Sequence, residues 1–148
     1  MAKKRTGMRK RGSWNKGREV GQRNPFSPSE VKRIRKLISK RGDAGLRDLA
    51  LFSTAIDTML RTPDLLGLTV KDVRKHNRVM RDTVQLASAS RGQSIQCTLS
   101  KATMRVLEKW IDQSAKRPRD YLFTGQKGGG LTKFSARQLS RLVKVWAE

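Results

Sequence analysis

Ala55-Ile56-Asp57-Thr58-Met59-Leu60-Arg61-Thr62-Pro63-Asp64-Leu65-Leu66-Gly67-Leu68-Thr69-Val70-Lys71-Asp72-Val73 runs from the end of an apolar helix through two short capped turns. Leu46, Leu49, Ala50, Leu51, Phe52, Ala55, Ile56, Met59 and Leu60 cover most of a helical circumference. That pattern predicts a helix from about Leu46 to Leu60, buried inside the domain. Thr62 can cap and Pro63 can open a short helix that Gly67 closes. Thr69 with Asp72 has the form of a second small capped turn.

On the N-terminal side, Ser27-Pro28-Ser29-Glu30 is a capping box with Pro at the first helical position. It predicts a helix from Pro28 with an apolar stripe of Val31, Ile34, Leu37 and Ile38, ended by Gly42. On the other side, residues 83–87 and 94–99 alternate polar and apolar around Arg91-Gly92, which predicts a β-hairpin. Ser100 can cap a helix carrying Met104, Leu107, Trp110 and Ile111. Tyr121-Leu122-Phe123 is a short apolar stretch between a turn at Pro118 and glycines 128–130. Ser135 and Gln138 form a second capping box, launching a helix with Leu139, Leu142, Val143 and Trp146. Its stripe is still in phase at Trp146 and no C-terminal cap follows, the look of a domain cut before its final elements. Such a domain would expose apolar surface on residues 46–60 and 139–146.

The charge is lopsided. Of 148 residues, 34 are Lys or Arg against 12 Asp or Glu, a formal net charge of +22. Residues 1–24 hold Lys3, Lys4, Arg5, Arg9, Lys10, Arg11, Lys16, Arg18 and Arg23 against Glu19, a net +8 that leaves +14 on the rest. With few apolar side chains and glycines at 7, 12, 17 and 21, this segment reads as a flexible arm over residues 1–25, ahead of a folded unit over 26–148. A folded part that is basic in its own right points to a polyanionic partner, and nucleic acid fits best; charge does not choose between DNA and RNA. The arm has neither an amphipathic face nor a lipidation signal, so a membrane partner is not expected. A lone Cys97 and a lone His76 exclude an internal disulfide and leave little to build a metal site, so neither metal nor cofactor is expected. No signal peptide or long apolar run directs export.

The Ala55–Val73 string resembles the first arginine box of tyrosine recombinases, the phage integrase family, and Arg47-Asp48-Leu49-Ala50-Leu51 resembles the approach to it. Tyr121-Leu122-Phe123 resembles the segment after the family's hairpin and following helix. The resemblance covers about residues 26–148. It implies a mainly α (α+β) fold, a helical bundle with a small antiparallel β-hairpin, missing the catalytic domain's last helices. It also implies double-stranded DNA as partner, possible contact with other recombinase subunits, a role in site-specific recombination or integration, and a cytoplasmic, nucleoid-associated setting in a bacterium or phage.

Family members cleave DNA with a Tyr nucleophile, two phosphate-clamping arginines, a hairpin Lys and assisting His residues. Arg61 aligns with the first of those arginines; the alternative is an arginine that satisfies carbonyls at the end of the buried helix. Asp64 stands where Glu is usual, as a structural support that could hold Arg61; the alternative is a first-turn acid stabilised by the helix dipole. Where the family's turn carries Lys-Thr-Gly, this chain has Ser90-Arg91-Gly92. Arg91 can contact phosphate, but a guanidinium does not give up its proton as an acid catalyst must. The arm residues Lys3, Lys4, Arg5, Arg9, Lys10 and Arg11 complete the expected DNA-binding set. The family's His-x-x-Arg box is missing: His76 precedes the hairpin and is expected on the surface. Tyr121 aligns with a packing residue rather than the nucleophile. The expectation is a fragment or degenerate member that binds DNA without cleaving it, with a basic RNA-binding or ribosome-associated protein, or a regulator docking on a full-length recombinase, as alternatives.

Overall fold

Local chemistry sets the start of the first helix, α1 (Pro28–Ser39): Ser27 Oγ accepts the Glu30 N–H at 3.3 Å, and the Glu30 carboxylate accepts the Ser27 N–H at 2.7 Å. Those bonds from Ser27 hold the Glu30 carboxyl below the usual carboxylate range. The computed structural model describes residues 25–88, 92–125 and 132–148, so the basic arm and Arg91 lie outside the described residues. α1 stops at Ser39, three residues before Gly42. Gly42, at φ +57°, instead opens a 3-10 turn (Gly42–Gly45). At Gly45 an added Cβ would fall 2.8 Å from Arg41 Cβ, so only glycine lets α1 and the next helix meet so closely.

That next helix, α2 (Leu46–Thr58), buries Ala50, Leu51, Phe52 and Thr54. The sequence reading carried it on to Leu60 and put Met59 on its apolar face. In the structure Met59 is left-handed (φ 52°) and 80% exposed. The left-handed turn reverses the chain before Leu60 and throws the Met59 side chain outward. A short α3 (Thr62–Leu66) follows with Arg61, not Thr62, at its N-cap position. In α4 (Val70–Val73) the Asp72 carboxylate accepts both the Thr69 N–H (2.8 Å) and the Thr69 hydroxyl (2.9 Å).

Strands β1 (Thr83–Ala87) and β2 (Ser94–Thr98) pair antiparallel, Val84 opposite Cys97 and Leu86 opposite Ile95. Val84 is buried, and half-buried Cys97 packs with its thiol pushed up by desolvation. Ser100 caps α5 (Lys101–Gln113) and Ser135 caps α6 (Ala136–Ala147), as their sequences predict. The fold class is therefore the expected one, mainly helical with one small antiparallel hairpin.

Leu51, Leu66, Leu68, Leu107, Ile111, Leu122 and Phe123 sit in a single core cluster, each worth about 1.5–3 kcal/mol of apolar burial. Tyr121-Leu122-Phe123 runs through it as a strap. The Leu122 N–H donates to Leu68 O, Val70 N–H to Asp120 O, and Lys71 N–H to Pro118 O. Trp110 Nε1–H donates to Leu122 O at 2.8 Å. α6 closes over α2 through Trp146, whose ring meets Phe52 edge-on at 5.4 Å. The body of α2 is thus covered, contrary to the expectation of an exposed face there. On α6 the expectation of exposed apolar surface within residues 139–146 holds at Val143 and Val145, and among the described residues Phe26, Leu37 and Val79 are exposed as well.

Candidate nucleic-acid interface

Arg61 is presented by the turn that joins α2 to α3. Thr58 and Thr54 are buried near the end of α2, and their hydroxyls are satisfied within the helix, Thr58 Oγ1 by Thr54 O and Thr54 Oγ1 by Ala50 O, both at 2.7 Å. Met59 then turns the chain, Leu60 is half-buried, and Arg61 adopts extended backbone (φ −64°, ψ 151°) with an exposed side chain. Its carbonyl accepts the Leu65 N–H at 2.9 Å. Among the described residues its guanidinium has no hydrogen-bond or ion-pair partner, so it does not satisfy the carbonyls at the end of α2. A fixed backbone with an unengaged planar fork is the arrangement that accepts phosphate oxygens.

Asp64, one turn further on, is buried and accepts the Ser88 hydroxyl at 3.2 Å. Asp64 forms no ion pair with Arg61; it reaches the hairpin instead. Ser88 is itself buried, its N–H donates to Gln93 O, and its carbonyl accepts the Gly92 N–H. The tip end of the hairpin is therefore docked on the same short helix that carries Arg61 at its start. Arg91 falls between Ser88 and Gly92, outside the described residues, as do Lys3, Lys4, Arg5, Arg9, Lys10 and Arg11.

Tyr121 is half-buried and bridges Thr69 through the backbone, inside the strap. His76 is exposed in the turn after α4. Among the described residues no group of three His, Cys, Asp or Glu side chains is placed to hold a metal ion, and no helix is long and apolar enough to cross a membrane.

The sequence reading missed a second basic cluster at the opposite, base end of the hairpin. Arg74 donates to Asp112 at 2.8 Å and Arg78 reaches the same oxygen at 3.5 Å. The Arg74 bond, with the positive charge of both arginines, holds the Asp112 carboxyl below its usual range. Nearby, the Lys116 amine donates to Thr124 Oγ1 at 2.8 Å and sits 5.5 Å over the Trp110 ring. Burial pushes the Lys116 pKa down, and Asp120 partly offsets this. A signal existed: Lys71, Arg74, Lys75, Arg78 and Arg81 recur every one to three residues, although the helix that could have explained them stops at Val73.

The phage integrase family model matches residues 25–148. Tyrosine recombinase XerC of Corynebacterium efficiens is 30% identical over 104 residues, 69% of this chain and 31% of the relative. The crystal structure of XerA recombinase matches 84% of this chain and 42% of its own, with TM-score 0.67 and 17% identity. XerH site-specific recombinase bound to difH substrate matches 82% and 36%, with TM-score 0.58 and 17% identity. The Tn1549 transposon integrase in complex with circular intermediate DNA matches 88% and 46%, with TM-score 0.60 and 18% identity. The chain spans about a third of the curated relative and less than half of each of these solved chains.

Proposed function

Because this chain belongs to the phage integrase family, we propose that it acts on duplex DNA in site-specific recombination, with Arg61 as the first clamp on the scissile phosphate. The observation that carries the proposal is the Arg61 guanidinium, exposed and without a partner among the described residues, on a turn between the buried end of α2 and α3. A phosphodiester transition state gathers negative charge on its non-bridging oxygens. A guanidinium fork already in place stabilises that charge without reorganising. Asp64 supports the site by accepting the Ser88 hydroxyl, which docks the end of β1 on α3.

In this reading residues 26–148 are a partial catalytic domain and residues 1–25 are a basic arm that adds phosphate contacts through Lys3, Lys4, Arg5, Arg9, Lys10 and Arg11. Residues 25–148 contain no His-x-x-Arg string, and the strap holds Tyr121. We therefore assign these residues phosphate binding and positioning rather than strand cleavage. Double-stranded DNA is the partner, other recombinase subunits are further candidates, and the setting is cytoplasmic. The solved XerH and Tn1549 complexes, which contain DNA, support the choice of duplex.

Fluorescence anisotropy with a labelled duplex tests this. Arg61→Ala is expected to weaken binding by roughly 1–3 kcal/mol, the range of a hydrogen bond to a charged group. Affinity should fall steeply with salt, and the slope should shrink by about one phosphate contact in the variant. Unchanged affinity in Arg61→Ala would remove the clamp. A strong preference of the wild type for structured RNA would replace duplex DNA with RNA.

A further inference from the structure

We propose that the base end of the hairpin is a second anion site, built for an oligophosphate group carried by a small molecule and separate from the Arg61 surface. Two adjoining cavities lie there, of about 250 and 700 Å³, sharing Lys71, Lys75, His76 and Arg81 in their walls. The smaller is lined by Lys71, Arg74, Lys75, Arg78, Arg81 and Lys116, with no carboxylate in its lining. Asp112 partly neutralises Arg74 and Arg78, and the repulsion that remains among the cations around so small a space is relieved when an anion enters.

The site is built rather than incidental. Lys116, only 9% exposed, is fixed by Thr124 and the Trp110 ring. Arg74 is held by Asp112 from α5. Arg78 occupies a left-handed position (φ 66°) in the turn where Lys75 N–H donates to Val79 O. That conformation favours glycine, yet the chain keeps a guanidinium there, within reach of Asp112. The backbone bonds from Val70 and Lys71 to Asp120 and Pro118 bring the two sequence-distant halves together.

The form of the cavities selects the ligand class. The smaller is concave, which suits a short phosphate chain better than the broad backbone of a duplex. The larger adds Asp72, Asp82, Thr83 and Gln85, and its carboxylates disfavour phosphate while suiting hydroxyl or amino groups. Phosphates belong in the smaller cavity and a polar head group in the larger. The smaller cavity lies toward the base of the hairpin, whereas Arg61 starts the short helix on which the hairpin's tip end docks, so the phosphate site and Arg61 lie toward opposite ends.

Isothermal titration of the full chain at fixed ionic strength, with inorganic triphosphate and with adenosine triphosphate, tests the proposal. Lys75→Ala/Arg81→Ala removes two exposed cations of the site. Lys36→Ala/Lys109→Ala removes two exposed cations elsewhere and leaves the net charge of the two variants equal. Saturable one-to-one binding that weakens at least tenfold in the first variant and less than twofold in the second supports the site. Arg78→Gly, which relaxes the turn, should keep or raise the melting temperature while weakening the same binding. Adenosine triphosphate binding as well as triphosphate points to a nucleotide source, and its exclusion points to free polyphosphate; both support the site. Equal losses in the two double variants would show diffuse charge attraction and overturn it. Displacement of triphosphate by a short duplex from wild type and from Arg61→Ala alike would assign the surface to DNA and also overturn it.

Discussion

The two ends of one hairpin carry positive charge prepared in opposite ways. At the tip, Arg61 stands exposed with no partner among the described residues, and the nearby carboxylate, Asp64, is buried and turned to Ser88. At the base, Arg74 and Arg78 share Asp112, and Lys116 is buried against Thr124 and Trp110. The tip offers a free fork on a rigid backbone, suited to an extended polyanion that approaches from outside. The base offers a cluster in which Arg74 and Lys116 are already held in place and exposed cations surround them. Positive sign alone therefore does not define a binding surface; what holds each cation in place decides which anions it suits.

The largest test breaks both ends together. Leu66→Ala hollows the core beneath α3, and a loss of about 2–5 kcal/mol in urea unfolding is expected. Duplex and triphosphate binding should then fall in parallel as the folded fraction falls. Arg61→Ala, described above, should instead separate them, weakening duplex binding with triphosphate binding intact.

Asp64→Ala sharpens the account of the tip. If Asp64 docks the hairpin, stripping the buried Ser88 hydroxyl of that acceptor costs about 1–3 kcal/mol of stability. A first-turn dipole role alone would cost under about 1 kcal/mol, so thermal unfolding distinguishes them. Met59→Gly should be smaller and of opposite sign. It removes a left-handed penalty of about 1–2 kcal/mol and adds glycine's entropy cost of about 0.5–1 kcal/mol, leaving a net gain of about 0–1.5 kcal/mol in melting experiments.

The smallest effect belongs to the base. The folded-state pKa of Asp112 is lowered, so its contribution to stability is present above the ordinary value of 3.8 and is lost as pH falls through the lower folded value. Because Asp112 is exposed, the loss is slight. Acid titration of wild type against Arg74→Ala should show the wild type losing slightly more stability below pH 3.8.

Much of this architecture was legible because its signals are local. Ser27 with Glu30, Ser100, and Ser135 with Gln138 set their helix starts through bonds spanning three residues, which a sequence displays directly. The Arg61 turn was legible as a motif, but its details were not. No local rule places a methionine in a left-handed turn, so the end of α2 and the exposure of Met59 escaped the pattern. Asp64 reaching Ser88 is a contact 24 residues apart, decided by how the hairpin docks. The base cluster was the least legible part, since Lys116 meets Arg74 and Arg81 only through the strap's backbone bonds.

The hairpin also works as a spacer of fixed length. Five paired residues are nearly inextensible at about 3.3 Å each, so the two charged ends stay roughly 16 Å apart. Phosphates along one DNA strand recur at about 3.4 Å, which puts some five nucleotide steps between the ends. A triphosphate is too short to touch both, so loading one end leaves the other open. A duplex at the tip and one triphosphate at the base should therefore bind independently rather than compete.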